Sequence, residues 1–131
     1  MTAPTAAQLV THAERRAGTH PRILVLETMP PTDWLGPDSS GTGWLRRLLP
    51  GHDLYAVSAY DGTTPLPDPA GYLAAIVPGS VAAVYERAPW MLRLEAYLRK
   101  LQAAAFSVLG ICFGHQILAS ALGGTVIRNP L

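Results

Sequence analysis

Short apolar runs, separated by stretches rich in proline, glycine and polar residues, set the pattern of the chain. The first, Ile23-Leu24-Val25-Leu26, is continuous rather than alternating and lies between Pro21 and Pro30-Pro31. A run of that kind suits a strand buried on both faces, as in parallel sheets. Asp53 to Ala59 alternates and predicts a second strand. Tyr72 to Val77 predicts a third, ended by Pro78-Gly79-Ser80, Ser107 to Ile111 a fourth, and Thr125 to Ile127 the start of a fifth. Helical spacing fills the intervals. Gly43 to Leu49 makes about two turns stopped by Pro50-Gly51, after a loop from Thr32 to Gly43. Trp90, just after Pro89, opens the longest helix, with Leu94, Leu98, Leu101 and Ala105 on an apolar face. Arg93, Glu95, Arg99 and Lys100 lie elsewhere on it, Glu95 and Arg99 at a favourable i, i+4 spacing. Gly114 to Leu122 predicts a last helix closed by Gly123-Gly124. Tyr60 to Pro69 reads as a connection over a site.

Strands alternating with helices predict a three-layer α/β domain, with a mostly parallel sheet and helices on both faces. Residues 1–21 read as an N-terminal extension carrying a short amphipathic helix that ends at Gly18, and residues 22–131 as the domain itself. The fifth strand stands where the sequence stops, so the fold is expected to be incomplete at its C-terminus.

Composition narrows the function classes. The chain has 131 residues, room for one domain, and 49% hydrophobic residues, enough to bury a core. Ten basic against nine acidic residues leave no footprint of nucleic acid or an anionic membrane. A single cysteine excludes an internal disulfide framework and fits the cytoplasm. The longest apolar stretch, Ala103 to Phe113, is shorter than the roughly 18 residues of a membrane span. Positive charge carried almost entirely by arginine, with abundant alanine and proline, suggests a bacterial coding bias.

Chemistry concentrates in Gly110-Ile111-Cys112-Phe113-Gly114-His115-Gln116, where a buried strand is predicted to run directly into a helix. This is Gly-x-nucleophile-x-Gly, an elbow that lifts one side chain above the sheet. Glycines are needed on both sides because the turn brings those positions together. The helix N-terminus favours the thiolate of Cys112, and the N–H of Phe113 in the first helical turn is free to meet an oxyanion. Pro78-Gly79-Ser80 presents further N–H groups on the same carboxyl edge. A buried cysteine in a tight turn is the competing explanation of the motif alone.

Together with Ile76-Val77-Pro78-Gly79-Ser80, Val84-Tyr85-Glu86 and Pro89-Trp90, the run LGICFGHQILASALGG from Leu109 to Gly124 resembles the class I, triad-type glutamine amidotransferases. It is most similar to free-standing members like the amidotransferase domain of GMP synthase. The resemblance implies a flavodoxin-like fold in which Cys112 attacks the side-chain amide of glutamine. It also implies an oxyanion hole of the Phe113 and Ser80 N–H groups shaped by Gly79, Gly110 and Gly114 as the elbow glycines, and Gln116 helping to hold the substrate. Glutamine is the implied substrate, with a synthase or other acceptor-activating partner; no P-loop pattern, cofactor or metal site is implied.

The sequence departs from that family in one respect. The His-x-Glu that supplies base and orienting acid downstream is not found, and Ile117 to Leu131 contain no His, Asp or Glu. The chain is therefore expected to be an amino-terminal portion that is inactive alone. His115 is assigned to helix packing, and His12, His20 and His52 to solvent. Rival readings are a γ-glutamyl peptidase or hydrolase, a DJ-1/PfpI-like cysteine-elbow enzyme with Glu27 as the acid, and a degenerate module that only binds.

Overall fold

A computed structural model describes residues 22–29 and 40–130, so the extension expected over residues 1–21 lies outside the described residues. Strands β1 (Arg22–Glu27), β2 (Asp53–Ser58), β3 (Ala74–Val77) and β4 (Val108–Gly110) form one sheet in the order β2-β1-β3-β4. All three pairings are parallel, with Leu24 opposite both Tyr55 and Ala75, and Val77 opposite Gly110. The continuous apolar run thus occupies an interior strand, as its lack of alternation predicts.

Helices cover both faces. On one, Leu24, Leu26, Ala75 and Val77 meet Met91, Leu94, Leu98 and Leu101 of α2 (Pro89–Ala103) and Ile117 of α3 (Phe113–Ala121). On the other, Ile23, Val25, Leu54 and Ile76 bury Leu45 of α1 (Gly41–Leu48). The period of two along β1 sorts its side chains between these two cores. The result is the three-layer α/β architecture expected of the sequence. No helix among the described residues is long and apolar enough to cross a membrane.

Three local expectations are corrected. Helix α1 starts earlier than Gly43: Ser40 is the N-cap, its side chain accepting from the Gly43 N–H at 3.0 Å. Helix α2 ends at Ala103, and Ala105 takes the left-handed conformation at φ 54° instead of extending the apolar face. The Phe106 N–H reaches the Leu101 carbonyl and the Ala105 N–H that of Gln102, a Schellman ending with alanine where glycine is usual. Residues 125–127 form no strand: they have no pairing partner among the described residues, although Val126 packs on the larger core.

Glu95 is the fourth correction. Its spacing from the apolar face assigns it to solvent, yet it is buried, 3% exposed. Arg87 explains this. That residue, itself left-handed at φ 54° after the Val84–Glu86 turn, donates to both carboxylate oxygens of Glu95 at 2.6 and 3.2 Å. The Ser120 hydroxyl of α3 adds a bond of 2.7 Å, whereas the expected i, i+4 partner Arg99 stands at 3.9 Å. One carboxylate therefore ties together α2, α3 and the turn before α2. Burial pushes its pKa up, but hydrogen bonds from Arg87 and Ser120 and the nearby arginine charges outweigh burial and hold it below the ordinary 4.5. A depressed carboxylate pKa gives stability that is complete above the unfolded value and is lost as pH falls through the folded one. Glu95→Gln should cost about 1 to 3 kcal/mol at neutral pH. In urea denaturation the gap from the unsubstituted chain should close as pH drops below 4.5; a constant gap would refute this account.

Candidate active site

The carboxyl ends of β1, β3 and β4 converge on one edge, and the chemistry-bearing residues follow them in the chain. Beyond β4, Ile111 donates to the Val77 carbonyl at 2.9 Å, Cys112 turns the chain, and α3 begins at Phe113. Cys112 adopts φ 52°, ψ −115°, a conformation L-residues rarely adopt, at a cost of order 1 to 3 kcal/mol. The surroundings hold it there. The Gly114 N–H donates to the carbonyls of Pro78 at 3.1 Å and Ile111 at 2.9 Å, and the Gln116 N–H donates to the Cys112 carbonyl at 3.1 Å.

Both flanking glycines are steric necessities. A β-carbon on Gly114 would stand 1.8 Å from the Val77 carbonyl oxygen, and one on Gly110 would stand 2.5 Å from the Gly114 oxygen. The sequence pattern is therefore realised as a strand-to-helix elbow. Cys112 at its tip is exposed and unpaired.

The neighbouring turn is buttressed by Thr28, a fully buried residue that the sequence pattern did not single out. Its hydroxyl donates to the carbonyls of Pro78 (3.2 Å) and Gly79 (2.9 Å), and its own carbonyl accepts from the Ser80 hydroxyl at 2.7 Å. Because the peptide is planar and trans, a Gly79 carbonyl aimed at Thr28 turns the Ser80 N–H the opposite way. The Cys112 carbonyl, bound down the helix, likewise aims the Phe113 N–H out of the helix end. Neither N–H takes part in the backbone hydrogen bonds that hold these turns. A β-carbon on Gly79 would lie 3.6 Å from that of Cys112, so the two turns are in contact at the thiol. Gln116 stands one turn along α3 from Cys112, exposed and on the same face.

Other candidates are set apart. Glu27 accepts from the N–H of Thr42 at 2.5 Å and from its hydroxyl, so its carboxylate caps the start of α1; it is neither a free loop carboxylate nor hydrogen-bonded to the thiol. His52 directly precedes β2, at the amino edge, about 20 Å of strand from the carboxyl edge. His115 is exposed on α3 rather than buried between helices, contrary to its expected use. His12 and His20 lie outside the described residues. Among the described residues no cluster of His, Cys, Asp or Glu could hold a metal ion.

The glycine geometry makes a sharp contrast. Gly114→Ala should destabilise the chain by about 3 kcal/mol or more, since neither clashing partner is a movable side chain. Gly79→Ala, meeting only ordinary contact at 3.6 Å, should stay within about 1 kcal/mol. Thermal and urea unfolding of the two variants check this, and equal losses would contradict the geometry.

Comparison with known proteins shows the family. The family model described as "Glutamine amidotransferase class-I" matches residues 55–130. Gamma-glutamyl peptidase 4 of Arabidopsis thaliana is 42% identical over 53 residues, covering 40% of this chain and 21% of that protein. The glutamine-hydrolyzing GMP synthase of Aeropyrum pernix is 41% identical over 66 residues, covering 50% of this chain and 11% of that protein. The chain thus spans about a fifth or less of the length of these relatives. In fold it is similar to a glutamine amidotransferase from Thermotoga maritima, with a TM-score of 0.63 at 19% identity over 85% of this chain and 46% of that one. The family match begins within β2 and takes in the Pro78–Ser80 turn and the whole elbow, and the chain belongs to the class I glutamine amidotransferases.

Proposed function

We propose that residues 22–131 are the amino-terminal part of an amidotransferase domain whose nucleophile is Cys112, with residues 1–21 as an extension. The Cys112 sulfur adds to the side-chain amide carbon of glutamine. The carbonyl oxygen then takes negative charge and is met by the N–H groups of Phe113 and Ser80, each such donor being worth about 2.7 to 4 kcal/mol of barrier. Collapse of this adduct forms the thioester and breaks the carbon–nitrogen bond. The thiol proton leaves with the nitrogen as ammonia, and water then releases glutamate. Gln116, one turn along α3, helps to hold the substrate, and Gly79, Gly110 and Gly114 keep the two turns within reach of each other. The observation that carries this reading is the strained elbow at Cys112 flanked by two outward-facing N–H groups.

Proton transfer to the departing nitrogen needs a histidine in triads of this kind. His52 is at the wrong edge and His115 has no bond to the thiol, so we assign the base to a downstream His-x-Glu segment of the family's domain that these 131 residues do not include. The ammonia goes to an acceptor activated by another domain or chain in the cytoplasm. A second reading, a γ-glutamyl peptidase, uses the same attack on the same type of carbonyl, with an amine leaving in place of ammonia. The match to the Arabidopsis peptidase favours keeping it.

A glutamine-like chloroketone is expected to label Cys112 faster than a generic chloroketone of matched reactivity, with protection by glutamine. Equal rates without protection, measured by mass spectrometry of the labelled peptide, would remove the glutamine site. Protection by γ-glutamyl peptides but not by glutamine would favour the peptidase. The chain alone is expected to release ammonia from glutamine at background. A turnover of about 1 per second or more, typical of enzymes, would place the base within these residues.

A further inference from the structure

The elbow has a support that its hydrogen bonds do not provide. The peptide joining Cys112 to Phe113 is fixed at one end, where the Cys112 carbonyl accepts from Gln116, while its N–H has no backbone partner among the described residues. One contact fixes only one direction of that peptide plane. The second restraint is the Phe113 ring, 3% exposed, which stacks on Trp90 with centroids 5.5 Å apart and planes at 29°.

Trp90 is held from behind. Tyr60 tilts against it at 5.2 Å, and Gly62, left-handed at φ 72°, lies beside it, a β-carbon there meeting that of Trp90 at an ordinary contact of 3.5 Å. The connection bearing both residues is tied down along its length. The Ala59 and Tyr60 N–H groups donate to the Glu27 carbonyl. Asp61 accepts from the Thr64 hydroxyl and from the N–H groups of Thr64 and Thr63, which hold its pKa below the ordinary 3.8. Two side chains of α2, one turn apart, clamp the rest: Arg93 donates to the Thr64 carbonyl at 2.5 Å and the Tyr97 hydroxyl to that of Pro67 at 2.6 Å.

We propose that Trp90 is a positioning residue: through its stack on Phe113, and backed by Tyr60, it sets the plane of the Cys112–Phe113 peptide and so the aim of the oxyanion N–H. The role extends the reading of the Phe113 N–H as an oxyanion donor and rests on it. Loosening the stack weakens reactions in which a carbonyl oxygen gains charge at the elbow. Reactions that need only the sulfur proceed as before.

Two probes of Cys112 in the full chain separate these effects. p-Nitrophenyl acetate is attacked at its carbonyl carbon, whose oxygen takes the negative charge that the N–H donors meet; the sulfur is acetylated and p-nitrophenolate leaves. Methyl methanethiosulfonate has no carbonyl; the sulfur forms a disulfide and methanesulfinate leaves. Trp90→Leu should lower the ester-to-thiosulfonate rate ratio about ten-fold, and Trp90→Phe should restore it to within about two-fold. An unchanged ratio in Trp90→Leu overturns the proposal. Should that variant lose its helical circular dichroism, Tyr60→Leu carries the test. It is expected to lower the ratio about three-fold, and an unchanged ratio again overturns the proposal. p-Nitrophenyl acetate has no glutamine side chain, so the ratio is independent of glutamine binding. Failure of glutamine to protect the thiol counts against the functional reading alone.

Discussion

The approach of the Gly114 α-carbon to the Val77 carbonyl is the constraint on which the rest of the site depends. There is no room between them for even one carbon atom. That closeness lets the chain leave β4 and enter α3 without a connecting loop, and it obliges Cys112 to absorb the turn at φ 52°. It also fixes the distance between two carboxyl-edge turns that arise 32 residues apart in the chain, at Ser80 and Cys112. Parallel pairing of β3 with β4 brings these turns side by side. The buried hydroxyl of Thr28, from the end of the central strand, then orients one of them.

What the sequence reveals depends on whether a feature is local. Ile23 to Leu26 declares an interior parallel strand because every position is apolar, and the elbow declares itself because its glycines are required within five residues. Glu95 could not be placed in the same way. Its burial depends on Arg87, eight residues earlier and beyond a left-handed turn, and on Ser120 of the next helix, partners that periodicity within one helix does not reveal. Thr28 and the support behind Trp90 were hidden for the same reason. Position 105 misled because alanine reads as helix, although here it fills the left-handed site of a helix ending. At residues 125–127 an apolar pattern signalled a strand, but a strand needs a neighbour, and none is present among the described residues.

The same distinction separates the two kinds of catalytic part. Oxyanion donors are backbone groups, so their positions are decided by turns, glycines and the helix start. A general base is a side chain that can come from any element reaching the same edge. Evolution can therefore keep the carbonyl-binding half of such a site in the turns after two neighbouring parallel strands while drawing the proton-transfer half from elsewhere. Preorganisation matters more for the donors: they act on charge that appears only as the sulfur adds, and a peptide free to rotate would have to be oriented during the reaction. On the proposed reading of the Phe113 and Ser80 N–H groups, a rigid aromatic stack beneath one donor and a buried threonine behind the other are two solutions to that requirement. The first restrains the plane by packing and the second by hydrogen bonds. Both leave the N–H groups themselves unbound, as a site awaiting negative charge demands.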